Sequence, residues 1–238
     1  MSIGAVVVTF QTSAAQLQAC LASLQQNGVT NQQAINNDKN NIGFAAAANA
    51  GAGQLTNEFV LFLNPDAELL PGSLALPLSY LSRHPKVGIV GPLLYNHDKV
   101  YETKCYGQSV SLWSLFGRRL APSRLPANPQ AVGWVSGGAM LIRRSVFEEL
   151  SGFDPSFFLY WEDVDLCRRA WLAGWSVHLL PSWRVLHQRG ASLSDQAAKT
   201  RLYDKSADNY FHKHYSKPIW LFQRYLRYLY RLFSPLVE

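Results

Sequence analysis

Continuous apolar runs alternate with segments of helical periodicity along the first three quarters of the chain. Ile3 to Phe10 is rich in β-branched residues, and Phe59 to Leu63 (FVLFL) is the clearest uninterrupted apolar run. Such runs are typical of central strands that are buried on both faces. Between them, apolar residues from Leu17 to Leu24 recur at spacings of three and four, the period of a helix. The alternation predicts an α/β fold with a mostly parallel sheet flanked by helices.

The same criteria predict further elements along the chain. An Ala-rich helix is expected after Asn41-Ile42-Gly43, and an irregular excursion is expected over residues 101–132. The other predicted helices are Gly72 to Arg83 and Glu162 to Gly174, and the other predicted strands are Gln33 to Asn36, Val87 to Val90, Val135 to Ile142 and Trp175 to Leu180.

Composition narrows the class of protein. The chain has 238 residues, of which 48% are hydrophobic, enough for a sizeable core and too apolar for a disordered chain. Its three cysteines, at positions 20, 105 and 167, form no CxxC pair, which argues against a disulfide framework or a zinc knuckle. The sequence shows no export signal and no apolar stretch long enough to span a bilayer. We therefore expect a cytoplasmic protein.

One carboxylate is expected at the end of the clearest strand. Asp66 follows FVLFL, and Pro65 cannot continue a strand ladder, so the chain must turn there. In open α/β sheets, ligands bind outside the carboxyl ends of the strands. Asp66 is thus a candidate ligand of a divalent ion or a sugar hydroxyl, and a plain turn or helix-capping aspartate is the alternative.

A second acidic cluster follows the aromatic run FFLYW. Glu162, Asp163 and Asp165 fall within four positions and repel one another unless a cation or a helix dipole offsets them. One interpretation is a helix N-terminus, where acids complement the dipole and Arg168 and Arg169 are available as partners. The other is a partly desolvated carboxylate that acts as a base, which the adjoining aromatic residues favour.

Two further positions have both structural and functional interpretations. His187 follows the last predicted strand, and a single histidine of this kind is more often structural than a ligand. Gly137-Gly138 interrupts an apolar strand, which suits either a bulge or the close approach of a ligand.

Taken in order, these motifs resemble the family 2 glycosyltransferases of the GT-A fold, and among them the rhamnosyltransferases of polysaccharide assembly. The resemblance covers residues 3–194 and is carried by VVVTF, NNIGFAAAANAG, FVLFLNPDAELLPG, the block from GWVSGG to WLAGW that contains WEDVDL, and VLHQRGAS. It implies a Rossmann-like nucleotide-diphospho-sugar transferase domain. It also implies inverting transfer of a sugar, with rhamnose as the first guess, from a dTDP- or UDP-sugar to a lipid-linked or cell-surface polysaccharide intermediate.

The resemblance also assigns residues. Asp66 and His187 would bind a divalent metal, Mg²⁺ or Mn²⁺, at the diphosphate. Asp163 would be the general base and Glu162 would position the acceptor, or the two would exchange these roles. The residues implied on the nucleotide-sugar side are Thr9, Phe10, Asp38, Gly43, Phe44, Asn49, Asn64 and Asp66. Those implied on the sugar and acceptor side are Gly137, Gly138 and Trp161.

The domain organisation departs from the family in one segment. We expect a glycosyltransferase domain over residues 1–212, with a nucleotide-sugar half at 1–100 and an acceptor half at 101–212. Residues 25–40 leave room for one strand, whereas the family has two strands and a helix there. The shortened segment motivates an alternative function, a catalytically weak glycan-binding or scaffold subunit.

A basic aromatic tail, residues 213–238, completes the chain. Within Lys217 to Phe233, Arg224, Arg227 and Arg231 share one helical face, and aromatic and aliphatic residues occupy much of the rest. This pattern favours peripheral contact with the inner face of the cell membrane. A helix packed on the domain and a contact between copies of the chain are the alternatives. No nucleic-acid-binding module surrounds the tail, so a nucleic acid partner is not expected.

Overall fold

In the computed structural model, the described residues are 1–96, 98, 100–102, 105–110, 125–188 and 196–233, the last four of them without their side chains. The end of the VLHQRGAS motif, residues 189–192, lies outside this range, and so do residues 234–238 and the side chain of Arg231. No helix in the described ranges is both long and apolar enough to cross a membrane.

The elements alternate as the hydrophobic pattern predicts. The strands are β1 (Ile3–Thr9), β2 (Asn31–Asn36), β3 (Phe59–Leu63), β4 (Ala67–Leu69), β5 (Val87–Tyr95), β6 (Tyr106–Gly107), β7 (Gln130–Ala131), β8 (Trp134–Val135), β9 (Ala139–Arg143) and β10 (Ser176–His187). The helices are α1 (Ala14–Gln26), α2 (Phe44–Gly53), α3 (Ala75–Arg83), α4 (Arg144–Glu149), α5 (Glu162–Leu172), α6 (Gln196–His214) and α7 (Lys217–Phe233).

One large sheet organises the domain in the order β2-β1-β3-β9-β5-β10-β4, with β7 also paired to β10. The expected parallel pairing joins β2, β1 and β3, and it also joins β5 to β10. β9 runs antiparallel between β3 and β5, so the sheet is mixed. Because β3 and β5 run in the same direction, the carboxyl ends of β1, β2, β3, β5 and β10 meet at one edge of the sheet, beside the start of β9.

Several strands differ from the predicted bounds, β2 and β5 by being longer, and two further differences shape that edge. β10 is longer than predicted and includes His187, which pairs with Ala67 at the start of β4. The predicted strand from Val135 to Ile142 is divided into β8 and β9, because the chain turns at Gly137-Gly138. The first difference places His187 beside Asp66, and the second places the two glycines at the edge where β3 ends.

The segment between α1 and α2 contains a single strand. β2 lies at one margin of the sheet and pairs only with β1 along the path of strands. One strand is what the length of residues 25–40 predicts. The buried Asn37 side chain then holds the following turn, since its amide accepts the N–H of Ile42 and donates to Asn41.

Helix α7 lies on α6 through the side that carries its arginines. Arg227 contacts Asp208 at 3.0 Å, Arg224 lies 3.4 Å from the same carboxylate, and Gln223 is fully buried. Of the alternatives that the sequence leaves open, packing on the domain is observed for this side of α7, because α6 presents acids to the arginines. The side of α7 away from α6 is apolar instead, with Leu221, Phe222, Tyr225 and Tyr228 between 47% and 60% exposed.

Candidate active site

Two groups of side chains meet the edge of the sheet formed by the strand ends. We call the first, composed of Asn64, Asp66, Glu102 and His187, the histidine cluster. In it, Asp66 Oδ1 lies 3.3 Å from His187 Nε2, and both side chains are largely buried. Asp66 lies in the turn after β3, directly before β4, and His187 ends β10. The pairing of β4 with β10 therefore brings together two residues that are 121 positions apart in the sequence.

The His187 ring has partners at both nitrogens. Nδ1 lies 2.6 Å from Glu102 Oε1, and Asn64 Nδ2 lies 3.2 Å from Nε2. Burial alone lowers the pKa of His187, but hydrogen bonds and charge from Asp66 and Glu102 outweigh it and raise that pKa to about 9. The imidazole is therefore held as a cation between two carboxylates at neutral pH.

The donor set of this cluster fits a divalent cation. In an octahedral site with bonds of about 2.1 Å, neighbouring ligand atoms lie roughly 3 Å apart. The 3.3 Å between Asp66 Oδ1 and His187 Nε2 is compatible with two such positions, the cation taking the place of the Nε2 proton. In the part of the chain that the structure describes, no three His, Cys, Asp or Glu side chains converge as a complete metal site. If Asp66 and His187 were the two protein ligands, the other coordination positions would be open to a diphosphate and water.

Gly137 and Gly138 connect the histidine cluster to the second group. The carbonyl of Gly138 accepts the backbone N–H of Asn64 at 3.0 Å, and the N–H of Gly137 donates to Asp163 Oδ2 at 2.9 Å. A Cβ at Gly138 would come within 3.1 Å of the Leu94 side chain, which favours glycine at that position. One turn of two glycines therefore orients both candidate sites.

Asp163 and Glu162, at the N-terminus of α5, form the second group. Asp163 accepts backbone N–H groups of Gly137 and Val164, and no cation pairs with it in the described residues. Burial raises the pKa of Asp163, and these backbone hydrogen bonds oppose the shift. Burial, and next the charge of Asp163, raise the pKa of Glu162 well above its ordinary value. Glu162 is only 6% exposed, and its Oε2 has no hydrogen-bond partner among the described residues.

Asp165, the third carboxylate of the cluster, is neutralised by cations. Its oxygens lie 2.7 Å from Arg169 Nε, 2.7 Å from His214 Nε2 and 2.8 Å from Lys213 Nζ. Burial raises the pKa of Asp165, but the hydrogen bond from His214 and the cations outweigh it and lower that pKa to about 2. The interpretation in which arginine partners offset the acids is therefore right for Asp165, and not for Glu162 and Asp163.

Strained backbone leads into α5. Tyr160 and Trp161 have φ values of 69° and 70°, which are left-handed conformations that cost bulky residues about 1–3 kcal/mol each. Packing of the Trp161 ring on Tyr203 and Tyr210 of α6 compensates for this strain. Trp161 is only 3% exposed, so it supports the start of α5 from within the protein. A place for its ring on the acceptor side stays a prediction.

The candidates on the nucleotide side gather at the ends of β1 and β2. Thr9 is buried and donates to the carbonyl of Ile35 at 3.3 Å, and Phe10 is partly exposed beside it. Asp38 accepts the backbone N–H of Gln11, which has a left-handed φ of 52°. The structure thus brings Thr9, Phe10 and Asp38 to the same edge of the sheet.

The start of α2 connects this edge to the segment before α5. Gly43 has a φ of 84°, and a Cβ there would come within 2.6 Å of the Phe158 carbonyl oxygen. Phe44 donates its N–H to that carbonyl and lies beside Gly137. Asn49 differs, since its amide makes hydrogen bonds of 2.8 and 2.9 Å with the backbone of Phe153. The amide of Asn49 holds the turn that precedes α5, and a place for it beside the donor stays a prediction.

Sequence reasoning missed Glu102, which lies within the irregular excursion. No periodicity marks it there, and 85 residues separate it from His187. The only available signal was an acid shortly after β5, whose carboxyl end lies at the same edge as β3 and β10.

Comparison with known proteins identifies the family of the chain. Residues 4–202 match the sequence profile of the glycosyltransferase-like family 2. The chain belongs to this family. The resemblance drawn from the motifs is thereby confirmed at the level of the family.

Two of the curated proteins that resemble the chain are described as rhamnosyltransferases. The chain is 34% identical over 196 residues to the N-acetylglucosaminyl-diphospho-decaprenol L-rhamnosyltransferase of Mycobacterium tuberculosis, a match that covers 70% of this chain and 62% of the relative. It is 29% identical over 140 residues to the rhamnosyltransferase WbbL of Escherichia coli, covering 55% of this chain and 52% of WbbL. The chain therefore spans less than two thirds of these relatives.

Solved structures confirm the GT-A fold. GalNAc-T7 with UDP, GalNAc and Mn²⁺ superposes with a TM-score of 0.60 at 16% identity, covering 88% of this chain and 49% of that one. The mannosyltransferase PcManGT of Pyrobaculum calidifontis, in complex with GDP-Man and Mn²⁺, gives 0.55 at 14% identity, covering 98% and 81%. At these identities the likeness concerns the fold alone.

Proposed function

We propose that this protein is an inverting glycosyltransferase that moves a sugar from a nucleotide-diphosphate donor to a hydroxyl of a glycan acceptor. The observation that carries the proposal is the adjacency of two different sites on one glycine turn. The histidine cluster fits the diphosphate end of a donor, and the Asp163 carboxylate has the environment of a base. Membership in the family supports the reaction class.

On the donor side, residues at the carboxyl ends of the strands would bind the nucleoside and the diphosphate. Thr9, Phe10 and Asp38 lie where a nucleoside would approach the ends of β1 and β2. Asp66 and His187 would hold Mg²⁺ or Mn²⁺ against the diphosphate. Such a cation supplies neutralisation of the charge that develops on the departing nucleoside diphosphate. Two solved structures of the same fold contain Mn²⁺, which supports a divalent cation here.

On the acceptor side, Asp163 takes the proton of the attacking hydroxyl. Partial desolvation raises the pKa of Asp163, and a higher pKa makes a carboxylate a better base. Backbone N–H groups of Gly137 and Val164 fix both of its oxygens, so its orientation does not depend on substrate. Glu162, with its raised pKa and its Oε2 without a partner, is suited to donate a hydrogen bond to the acceptor and so position it.

A transfer assay tests the proposal directly. Purified protein is incubated with dTDP-rhamnose or a UDP-sugar, Mn²⁺ and a lipid-diphosphate acceptor that carries N-acetylglucosamine, and glycosylated lipid is measured by mass spectrometry. We expect product that disappears in EDTA and in Asp66→Ala. Product formation at an equal rate with and without EDTA would exclude the metal from the reaction.

We propose further that the acceptor is lipid-linked and that α7 contacts the cytoplasmic face of a membrane. The name of the mycobacterial relative describes a decaprenol-linked substrate, which supports the acceptor class. The exposed face of α7, formed by Leu221, Phe222, Tyr225 and Tyr228, has the amphipathic character of an interfacial helix. Lys217 is exposed on the same helix and would attract anionic headgroups.

Vesicle sedimentation tests whether the exposed apolar face of α7 binds a lipid surface or another partner. We expect the full chain to sediment with vesicles of phosphatidylcholine and phosphatidylglycerol, and Phe222→Glu/Tyr225→Glu to stay in the supernatant. Leu172→Glu is the matched control, because Leu172 is an apolar residue that is 74% exposed and lies on α5 rather than on α7. The opposite outcome is a chain that does not bind vesicles but forms dimers, which the double variant abolishes. It would contradict the proposal that this face binds lipid and would indicate contact with a second copy of the chain instead.

A further inference from the structure

We propose that Glu102 is a positioning residue that fixes the His187 ring so that Nε2 faces Asp66, the place where the cation of the proposed function binds. The inference rests on that proposed function. It adds one residue, from a segment that the sequence motifs do not include, to the two expected ligands.

The first observation is the geometry at His187 Nδ1. Glu102 Oε1 lies 2.6 Å away, which is short for a hydrogen bond between nitrogen and oxygen. A carboxylate can only accept, so Nδ1 carries the hydrogen. With the hydrogen on Nδ1, Nε2 is the nitrogen that is free to exchange its proton for a cation.

The second observation is that Glu102 is itself held in place. Its backbone N–H donates to the carbonyl of Leu94, on β5 next to β10, at 2.7 Å. Its side chain is 11% exposed and that of His187 is 13% exposed, so solvent screens the contact little. Glu102 is therefore anchored to the strand beside the one that carries His187.

The third observation is the direction in which the ring points. The same imidazole that contacts Glu102 through Nδ1 has Asp66 Oδ1 at 3.3 Å from Nε2. A carboxylate on the far nitrogen of a metal-binding histidine sets its tautomer and orientation, and loss of such a partner typically weakens metal affinity about 10–100-fold. The arrangement of Asp66, His187 and Glu102 has this form.

Titration of Mn²⁺ followed by electron paramagnetic resonance tests the inference, with UDP and, separately, dTDP present. We expect Glu102→Ala to weaken Mn²⁺ binding by about 10–100-fold. Glu102→Gln should stay closer to wild type, because the amide oxygen can still accept from Nδ1. Glu102→Asp keeps the charge but is one methylene shorter, so it should bind weakly even if Glu102→Ala does not fold.

Glu68→Gln is the matched control. Glu68 lies on β4, two residues from Asp66, and its carboxylate accepts from Gln188 at 3.1 Å. The variant removes a nearby charge without touching His187, so its Mn²⁺ affinity should match wild type. If Glu102 were merely structural, its variants would lower the melting temperature and leave Mn²⁺ affinity unchanged in the folded protein.

The outcomes separate this inference from the proposed function. If folded Glu102→Ala and Glu102→Asp bind Mn²⁺ as tightly as the wild type, the role of Glu102 is overturned and the metal site of the proposed function is not. A wild type that binds no Mn²⁺ with either nucleotide would overturn the metal site and the inference together.

Discussion

Asp163 and Asp165 lie two residues apart on the first turn of α5, yet they face different regions of the molecule. Asp163 faces the glycine turn beside the sheet, where its hydrogen-bond donors among the described residues are backbone N–H groups. Asp165 faces α6, where Lys213 and His214 join Arg169 around it. Burial raises the pKa of one, whereas its partners lower the pKa of the other to about 2. The placement of cations therefore decides which carboxylate is available for chemistry and which holds the fold together.

The largest expected effect is on turnover in Asp163→Asn. The amide cannot accept the acceptor proton, so we expect initial rates of sugar transfer to fall by about 10²–10⁴-fold. The variant keeps an oxygen for the N–H of Gly137, and its thermal unfolding should resemble that of wild type. Turnover within a few-fold of wild type would remove Asp163 from the role of base.

The second largest effect is on stability in Asp165→Asn. Removal of this buried charge leaves Arg169, His214 and Lys213 with a weaker partner, and breaking such a pair costs about 3–5 kcal/mol. Arg169 and Lys213 keep other contacts, at Leu150, Gly152 and Asp154, which favours the lower end of that range. Urea unfolding at neutral pH measures the loss. A free energy of unfolding equal to that of wild type would show that the contacts of Asp165 with Arg169, Lys213 and His214 do not stabilise the fold.

The pH dependence of unfolding sharpens the same comparison. The pKa of Asp165 falls from 3.8 to about 2 on folding, so its contribution is present above pH 3.8 and is lost as pH falls toward 2. A shift of this size corresponds to about 2 kcal/mol. The difference in unfolding free energy between wild type and Asp165→Asn should therefore shrink by about this amount between pH 5 and pH 2. A difference that is constant across this range would contradict the depressed pKa.

The smallest expected effect is on stability in Gly137→Ala, at the position whose backbone N–H donates to Asp163. A Cβ at Gly137 would lie 3.7 Å from Asp163 Cβ, an ordinary contact, so Gly137→Ala should change stability by less than about 1 kcal/mol. Gly43→Ala is the contrasting variant, because its φ of 84° and the nearby Phe158 carbonyl make any Cβ costly, by about 2 kcal/mol or more. Equal melting temperatures for the two variants would contradict this difference.

The sequence predicts the parts of the site that follow strand ends. Asp66 is identified because a buried run and a proline fix where β3 stops. For the acids that start α5, the pattern left two interpretations open, and the resemblance to the family singled out Asp163. Glu102 is invisible in the same pattern, because its contact with His187 depends on how an irregular segment returns to the edge of the sheet. Local periodicity carries no information about that return.

Helix α7 also shows what local periodicity can and cannot predict. Periodicity predicts α7 and its two faces, since Arg224 and Arg227 share one side. It does not predict which face meets the protein, because this depends on Asp208, an acid that α6 presents to the arginines. The apolar face of α7 is exposed as a consequence.

The central claim, that this chain binds a nucleotide-sugar donor through a divalent cation, is tested most directly by calorimetry. Wild type and Asp66→Ala are titrated with a panel of dTDP- and UDP-sugars, once with Mn²⁺ and once with EDTA. We expect micromolar binding of one donor by the wild type with Mn²⁺, and marked weakening in EDTA and in Asp66→Ala. A folded wild type that binds no member of the panel would contradict the claim and favour a glycan-binding or scaffold subunit instead.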